Sequence, residues 1–450
     1  MLKLEFQKST IAAVATAPGR GGIGVIRVSG PGVPQLLVII IGKMPLLRVA
    51  TLATFRDAGG GVIDRGIAVF FSAPNSYTGE DVCELQCHGG PMVLRRLLQR
   101  CIELGCRLAG PGEFTQRAYL NDKLDLAQAE GVADLIDASS VEAASSAARS
   151  LTGEFSANVG ALKNGLVELR MHAEACIDFP EEEIEPADQS RQIGQLTELR
   201  GQLAHLMRES KRGQVLREGL TVVLIGRPNV GKSSLLNALA ADDIAIVSPI
   251  PGTTRDYVRA TIFLEGVPIH LIDTAGLRDT SDEVEKIGIE RTWTAIAKAG
   301  AALLIAEAGE MVGSNEAQIL AKLPPNMPIA WVYNKIDIHA QQATRIGVGR
   351  QTCIRASAFT GEGVELVREW LLETAGWQTT GEGAFMARAR HLEALDEAKR
   401  HLDVAATVAS QHELFAEELR IAHLSLSKIT GEFSSDELLG EIFSRFCIGK

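Results

Sequence analysis

No stretch of the 450-residue sequence is apolar for long enough to cross a bilayer. The longest aliphatic run, Leu36 to Ile41, is closed by Gly42 and Lys43, whereas a membrane span needs about 20 apolar residues. The opening MLKLEFQKST carries an acid and has no apolar h-region, so neither a secretory signal nor a transit peptide is visible and a cytoplasmic protein is expected. A basic excess is missing as well. Lys+Arg 45 against Asp+Glu 56 gives a net charge of −11, which disfavours a role in coating nucleic acid without specificity and leaves only a local basic patch open. Cysteine is too sparse for a disulfide scaffold: seven residues, an odd number, fit a reducing compartment. Cys83, Cys87, His88, Cys101 and Cys106 lie close in sequence, but their spacings are not the CxxC pairs of a zinc finger. Buried thiols are expected, with a zinc site as the alternative. Internal repeats and low-complexity segments are also lacking.

At roughly 150 residues per domain the length predicts about three domains. Up to about Leu120, short apolar stretches such as GVIRVS, GIAVFFSAP and DVCELQCHGG stand between Gly/Pro turns and read as mixed α/β with considerable strand. From Asn121 to Arg217 apolar residues recur at three- and four-residue steps, as in LDLAQAEGVADLIDASSVEAASSAARSL, which is a helical signature. The helix through LVELRMHAEACIDF should stop at Pro180, and the acidic EEEIEPAD after it reads as a solvated loop. From Leu220 to about Trp377, strand-like TVVLIG, PIHLIDTAG, AALLIA, PIAWVYNK and CIRASA alternate with helical segments and predict parallel βαβ units. Helical patterning returns over 381–450. The expected organisation is an α+β domain over 1–120, a helical domain from 121–217 and 381–450, and an inserted domain over 218–380 with a mostly parallel sheet.

Gly226-Arg-Pro-Asn-Val-Gly231-Lys232-Ser233 fits GxxxxGK[ST], directly after TVVLI and before the helical SLLNAL. Glycines at this spacing let backbone N–H groups from Asn229 through Val230 and Gly231 to Ser234 wrap phosphate oxygens at a helix N-terminus. Lys232 would reach the β/γ-phosphates and the Ser233 hydroxyl would ligate Mg²⁺. Asn334-Lys335-Ile336-Asp337 follows IAWVY, and a carboxylate there can accept both N–H groups of a guanine edge. Adenine would leave Asp337 facing an acceptor and a missing amine. Ser357-Ala358 resembles the loop that closes over the same base. Asp273-Thr274-Ala275-Gly276 supplies a water-bridged Mg²⁺ carboxylate and a γ-phosphate amide. Four ordered elements in the right strand contexts predict GTP.

With these residues the inserted module resembles the TrmE–Era–Der GTPases, which implies a Ras-like P-loop fold. PGRGGIGVIRVSG, PNSYTGEDVCELQCHGGP, PGEFTQRAYLNDKLDLAQAE and the terminal FCIGK extend the likeness over essentially the whole chain to the MnmE (TrmE) family of tRNA wobble-uridine modification GTPases.

DTAG is followed by Leu277, not by the Gln that orients water in Ras-like proteins, so the catalytic group must come from elsewhere. Arg278, Asp282, Glu283 and Glu285 are nearby candidates, and the resemblance implies that Glu285 positions or activates water. No arginine finger is evident. The resemblance implies K⁺ in its place, held by Asn229 with Ser248, Ile250 and Thr253 of a switch loop, while Thr254 completes Mg²⁺ coordination. Relatives often have Thr where this chain has Ser248; a Ser oxygen can still coordinate.

Gly19-x-Gly21-x-x-Gly24 matches a dinucleotide fingerprint formally, but VIRVS after it reads as strand, so no helix N-terminus would face a pyrophosphate. The resemblance implies a folate-binding and dimerising domain instead, with Arg27, Glu84, Lys123 and Lys450 at folate-contact positions. A carboxylate matches the paired N–H donors of a pterin, and cations match the glutamyl tail. For Phe446-Cys447-Ile448-Gly449-Lys450, a prenylation box is disfavoured by the terminal Lys, and a frayed end is the plain alternative. The resemblance implies that Cys447 takes part in one-carbon chemistry beside the folate. It further implies a homodimer, a flavin-dependent partner (MnmG, also called GidA) and tRNA as substrate. A GTPase switch in ribosome assembly and a folate-dependent methyltransferase with a regulatory GTPase are the alternatives. The first explains the nucleotide motifs but neither the folate-like domain nor FCIGK. Glu307, after its apolar strand, carries no assignment from sequence.

Overall fold

A computed structural model describes residues 9–178, 186–240, 260–273, 293–294, 296–297, 299–310, 319–347, 351–377, 384–432, 436–444 and 446–449, with backbone alone at 186–189, 273 and 436–437. The elements in chain order begin with β1 (Ile11–Val14), β2 (Gly21–Ser29), α1 (Val33–Ile41), β3 (Thr51–Arg56), β4 (Val62–Phe71), β5 (Val82–Gly89), α2 (Pro91–Glu103), β6 (Arg107–Leu108) and α3 (Glu113–Leu120). Helices α4 (Leu126–Asp137), α5 (Val141–Leu151), α6 (Glu154–Asp178) and α7 (Pro186–Glu218) follow. Then come β7 (Leu220–Ile225), α8 (Lys232–Ala240), β8 (Ala260–Leu264), β9 (Val267–Asp273), β10 (Ala301–Glu307), β11 (Ile329–Asn334), β12 (Thr344–Ile346), β13 (Gln351–Arg355) and α9 (Val364–Ala375). The chain finishes with α10 (Ala389–Thr407), α11 (His412–Thr430) and α12 (Asp436–Ser444). Two compact units result: Met1–Ala133 with Ser150–Arg200 and Ala394–Lys450, and Asp134–Arg149 with Gly201–Glu393.

The first unit holds a six-stranded sheet in the order β3-β4-β5-β2-β1-β6, antiparallel except for β1 against β6. Its core sets Ile26, Val28, Cys83, Leu85 and Phe55 from the strands against Leu36, Leu37 and Ile40 of α1 and Leu97 and Cys101 of α2. The Leu36–Ile41 run, rich in β-branched residues, folds as helix. Val33, Leu36, Leu37 and Ile40 recur at helical spacing on the buried face, Pro34 starts the first turn, and Gly42 ends it in a left-handed conformation with its N–H on the Val38 carbonyl. Packing against the sheet overrides the modest helix penalty of the β-branched residues. Cys83, Cys87, Cys101 and Cys106 are buried free thiols. Burial pushes the Cys87 and Cys106 thiols up to about 11, so they stay protonated and behave as small core hydrophobes. Among the described residues no His/Cys/Asp/Glu group could hold a metal.

A buried ionic network fastens the start of α3. Glu113 and Arg117, one helical turn apart, are 3% and 1% exposed and pair at 2.9 Å. Arg107 donates to Glu113 at 2.6 and 2.8 Å and the Gly110 N–H donates at 2.9 Å. Arg117 also donates to Glu80 at 2.8 Å, and Glu80 accepts from Ser29 at 2.7 Å. Such a network costs desolvation and survives because nearly every lone pair is taken. Lower in the same unit the Tyr119 hydroxyl donates to the Gly431 carbonyl at 2.7 Å, joining α3 to the end of α11.

The second unit is a seven-stranded sheet in the order β12-β13-β11-β10-β7-β9-β8, with parallel inner strands and antiparallel edges. Strand β7 alternates its faces. Val222 and Leu224 pack with Leu235 and Leu239 of α8 and Val367 and Leu371 of α9, and Val223 and Ile225 pack with Ile272, Ile296 and Leu304. Helices on both faces force the central strands to be apolar throughout. Among the described residues no helix is long and apolar enough to cross a membrane.

Burial alone would raise the Glu113 carboxyl, but hydrogen bonds from Arg107, the Gly110 N–H and Arg117 together hold it below its ordinary value of 4.5. A depressed carboxylate contributes stability that is complete above the unfolded value and is lost as the pH falls through the folded one. Glu113→Gln should therefore cost the first unit about 1–3 kcal/mol near neutral pH, because Arg117 keeps Glu80 but loses its buried partner one turn away, and Arg107 loses its carboxylate. It should also flatten the loss of stability below pH 4.5. Urea transitions recorded at neutral and acidic pH read both effects.

Candidate functional site

The phosphate loop runs from the end of β7 into α8. Asn229 and Gly231 both have left-handed backbones, with φ of 67° and 93°. At Gly231 a Cβ would strike the Asn334 side-chain nitrogen, so only glycine fits. Two left-handed residues in so short a loop turn successive N–H groups to one side and make an anion-binding concavity. Leu235 N–H returns to the Gly231 carbonyl at 2.9 Å, which starts α8 and aims its positive end at the same place. Lys232 spans the loop, its ammonium donating to the carbonyls of Gly226 at 2.5 Å and Arg227 at 3.0 Å. Val230 is buried beneath the loop, whereas Asn229, Ser233 and Ser234 lie nearer its surface. The Ser233 hydroxyl at the helix start is a hard oxygen donor suited to Mg²⁺.

The residues expected from sequence to read the base meet at the ends of β11 and β13. Asn334, 2% exposed, donates from its amide to the Val230 carbonyl at 2.9 Å and accepts from the Ala358 N–H at 2.9 Å. Ser357 Oγ donates to Asp337 Oδ1 at 2.5 Å and accepts from the Thr360 N–H at 3.2 Å. Ser357 is fully buried and Asp337 is exposed, so one carboxylate oxygen is fixed from below while the carboxylate edge faces out. Lys335 has a left-handed backbone (φ 65°) and its ammonium meets Glu307 at 2.6 Å. Asn229, Val230, Gly231, Lys232, Asn334, Lys335, Asp337, Ser357 and Ala358 thus form one constellation. Asp273 ends β9, with only its backbone described. Ser248, Ile250, Thr253, Thr254, Thr274, Ala275, Gly276, Arg278 and Glu285 lie outside the described residues.

In the first unit Arg27 and Glu84 are cross-strand partners of β2 and β5. The guanidinium donates twice to Glu84 Oε1, at 2.9 and 3.1 Å, leaving Oε2 as a further acceptor. Arg27 also lies over the rings of Tyr77 (5.6 Å) and Phe114 (5.9 Å), and the Tyr77 hydroxyl meets Thr115 at 2.9 Å. Lys123 is exposed, its side chain beside Gly79. A carboxylate, a cation and the exposed ring of Tyr77 are a set that fits a flat, N–H-bearing heterocycle with an anionic tail, whereas Phe114 is fully buried beneath Arg27. The C-terminal tail is pinned, not frayed. Ile448 bridges to Pro111, the Gly112 N–H donates to the Cys447 carbonyl at 3.3 Å, and Gly449 seats against the Val14 backbone. Phe446 packs with Leu126, Ala129 and Phe443. Cys447 is exposed on this anchored strand, and Lys450 is outside the described residues.

Tyr77, Phe114 and the Glu113–Arg117 pair were not singled out by sequence reasoning. Tyr77 and Phe114 stand inside PNSYTGEDVCELQCHGGP and PGEFTQRAYLNDKLDLAQAE, and the i,i+4 spacing of Glu113 and Arg117 was the available signal for that pair.

Two family models match: one described as the MnmE helical domain over residues 126–447 and one as the GTP-binding protein TrmE N-terminus over residues 10–123. A tRNA modification GTPase MnmE of Thiobacillus denitrificans is 60% identical over 440 residues, covering 98% of each chain. One from Chromobacterium violaceum is 56% identical over 450 residues, covering 100% of each, and one from Neisseria meningitidis is 55% identical over 442 residues, covering 98% of this chain and 99% of that one. The chain belongs to the MnmE family of tRNA modification GTPases. Membership makes it a GTP-hydrolysing enzyme of tRNA modification, in keeping with the phosphate loop above.

If Asp337 reads the guanine edge, Asp337→Asn should weaken GDP binding by about 100-fold or more, because an amide then faces a ring N–H and an exocyclic amine. It should bind xanthosine diphosphate in its place, whose 2-oxo group accepts from the new amide. Titration of both nucleotides checks this; an unchanged preference would remove Asp337 from base recognition.

Proposed function

We propose that this chain, with a flavin-dependent partner, places an aminomethyl-type group at C5 of the wobble uridine of certain tRNAs, using a tetrahydrofolate one-carbon donor. Residues 1–120 would bind folate and dimerise, 121–217 with 381–450 would carry the tail, and 218–380 would hydrolyse GTP. The observation that carries this reading is the anchored tail. Main-chain contacts hold Cys447 to the loop before α3, and Phe114 of the same helix lies beneath Arg27. Arg27, Glu84, Lys123 and Lys450 hold and orient the folate, which supplies the one-carbon unit when bound. Cys447 is exposed and sits on the segment that reaches this helix.

In the GTPase half, Ser233 and Thr254 ligate Mg²⁺ and Asn229, Ser248, Ile250 and Thr253 hold K⁺. The exposed Asn229 side chain on its left-handed backbone supports that assignment. Glu285 positions or activates water, and Arg278 stands beside the same switch. Pairing of two G domains would complete the K⁺ site. Pairing of the N-terminal domains is supported by exposed apolar residues on and just before β3 and β4: Leu46, Leu47, Val49, Leu52 and Ile67. Leu52 stands opposite Ile67 across β3 and β4, and Leu47 bridges to Phe70 of β4. Exposed apolar residues gathered in one region mark an interaction surface, here for a second copy. The cell compartment that fits this reading is the cytoplasm.

One experiment joins the halves: GTP turnover in KCl and in NaCl at matched ionic strength, together with nucleoside analysis of tRNA from strains carrying each variant. The unsubstituted enzyme should be faster in K⁺. Glu285→Ala should keep GTP affinity and lose about 10²–10⁴-fold in kcat. Cys447→Ser should hydrolyse GTP normally and leave the wobble uridine unmodified. Equal rates in the two salts, a normal kcat in Glu285→Ala, or retained modification in Cys447→Ser would each remove the corresponding part of the reading.

A further inference from the structure

Glu307 is the last residue of β10 and stands opposite Asn334 across the parallel pair β10–β11. The Ala308 N–H donates to the Asn334 carbonyl at 2.9 Å, so the strand end that carries Glu307 is tied to the start of the base loop. Both oxygens of the carboxylate are engaged. Oε2 takes the Lys335 ammonium at 2.6 Å, and Oε1 faces His339 Nε2 at 3.5 Å. The loop between these partners is tight, with Ile338 N–H on the Lys335 carbonyl and His339 and Gln341 N–H groups both on the Ile336 carbonyl, each at 3.1 Å. Lys335 and His339 each lower the Glu307 carboxyl from its ordinary value, the Lys335 hydrogen bond most strongly, so Glu307 is an anion at neutral pH.

Lysine has four methylenes and loses much rotamer freedom when it is ordered. Here one end of the side chain is set by a left-handed backbone and the other by a carboxylate, which restricts the stem before any ligand arrives. The guanine base that Asp337 holds by its edge needs an apolar surface against its face, and a held lysine stem is such a surface. We propose that Glu307 is a specificity-positioning residue for guanine: it pins the Lys335 ammonium so that the lysine stem is preorganised as a plate for the base. This rests on the assignment of Asn334–Asp337 to base recognition. Preorganisation of this kind appears in affinity and not in the chemical step.

The test measures Kd for GDP and, separately, for inorganic tripolyphosphate, in the full-length chain and its variants. Glu307→Gln should raise the Kd for GDP about three- to tenfold. It should leave tripolyphosphate binding and the kcat at saturating GTP unchanged. In a Lys335→Met background, which keeps a stem without the ammonium, Glu307→Gln should have no further effect. An unchanged GDP affinity in Glu307→Gln, equal losses for GDP and tripolyphosphate, or full additivity with Lys335→Met would each overturn the proposal. Asp337→Asn separates the two readings. If it switches preference to xanthosine diphosphate while Glu307→Gln changes nothing, Glu307 alone is misassigned; if it does not switch, the base-site assignment fails first.

Discussion

The carboxamide of Asn334 is buried between two loops that come from different parts of the sheet, and the nucleotide site depends on its using both ends. Its N–H₂ donates to the Val230 carbonyl of the phosphate loop, and its oxygen accepts from the Ala358 N–H of the loop after β13. Loss of the side chain would leave a buried acceptor and a half-buried donor without partners, at about 1–3 kcal/mol each. Gly231 has no Cβ because the same amide occupies that space. The phosphate loop and the Ser357–Ala358 loop are therefore two ends of one hydrogen-bonded piece, set at the carboxyl ends of parallel strands where α/β sheets place their ligands.

A corresponding constraint in the other unit is the Glu113–Arg117 network. It organises the loop of Gly110 to Gly112, and the tail docks on that loop through main-chain contacts to Pro111 and Gly112. Gly112 faces Phe443 and Phe446 so closely that a Cβ would collide with both. The exposed thiol of Cys447 is thus carried on backbone contacts, while the chemistry proposed for it belongs to side chains on β2 and β5. Main-chain contacts to this loop hold the described segment from Phe446 to Gly449 in place.

Much of this is legible in the order of residues alone. The phosphate loop, NKID and SA segments are local patterns whose meaning lies in spacing after a strand, and β7, β11 and β13 supply those strands. The alternation of apolar runs and helices points to the parallel sheet for the same reason. What is not legible depends on contacts between residues distant in sequence. Asn334 and Val230 are 104 residues apart, and nothing local to either says that they bond. Glu307 looks uninformative because its partners, Lys335 and His339, lie beyond the intervening segment and strand β11. Leu36–Ile41 has the composition of a strand, but the helical spacing of its buried positions and its glycine and proline ends decide otherwise. Arg27, Glu84 and Lys123 are expected to contact folate only through family likeness; chemically they are ordinary charges until Arg27 is seen over Tyr77 and Phe114.

The dependence of the nucleotide site on Asn334 is tested most directly by measuring GDP and tripolyphosphate affinities of Asn334→Ala by calorimetry. Because the phosphate loop and the base loop lose a partner together, both affinities should fall, that for GDP by about 100-fold or more. A GDP affinity within about threefold of the unsubstituted chain would show that the two loops hold their geometry without the shared amide, and would contradict the view that one side chain unites them.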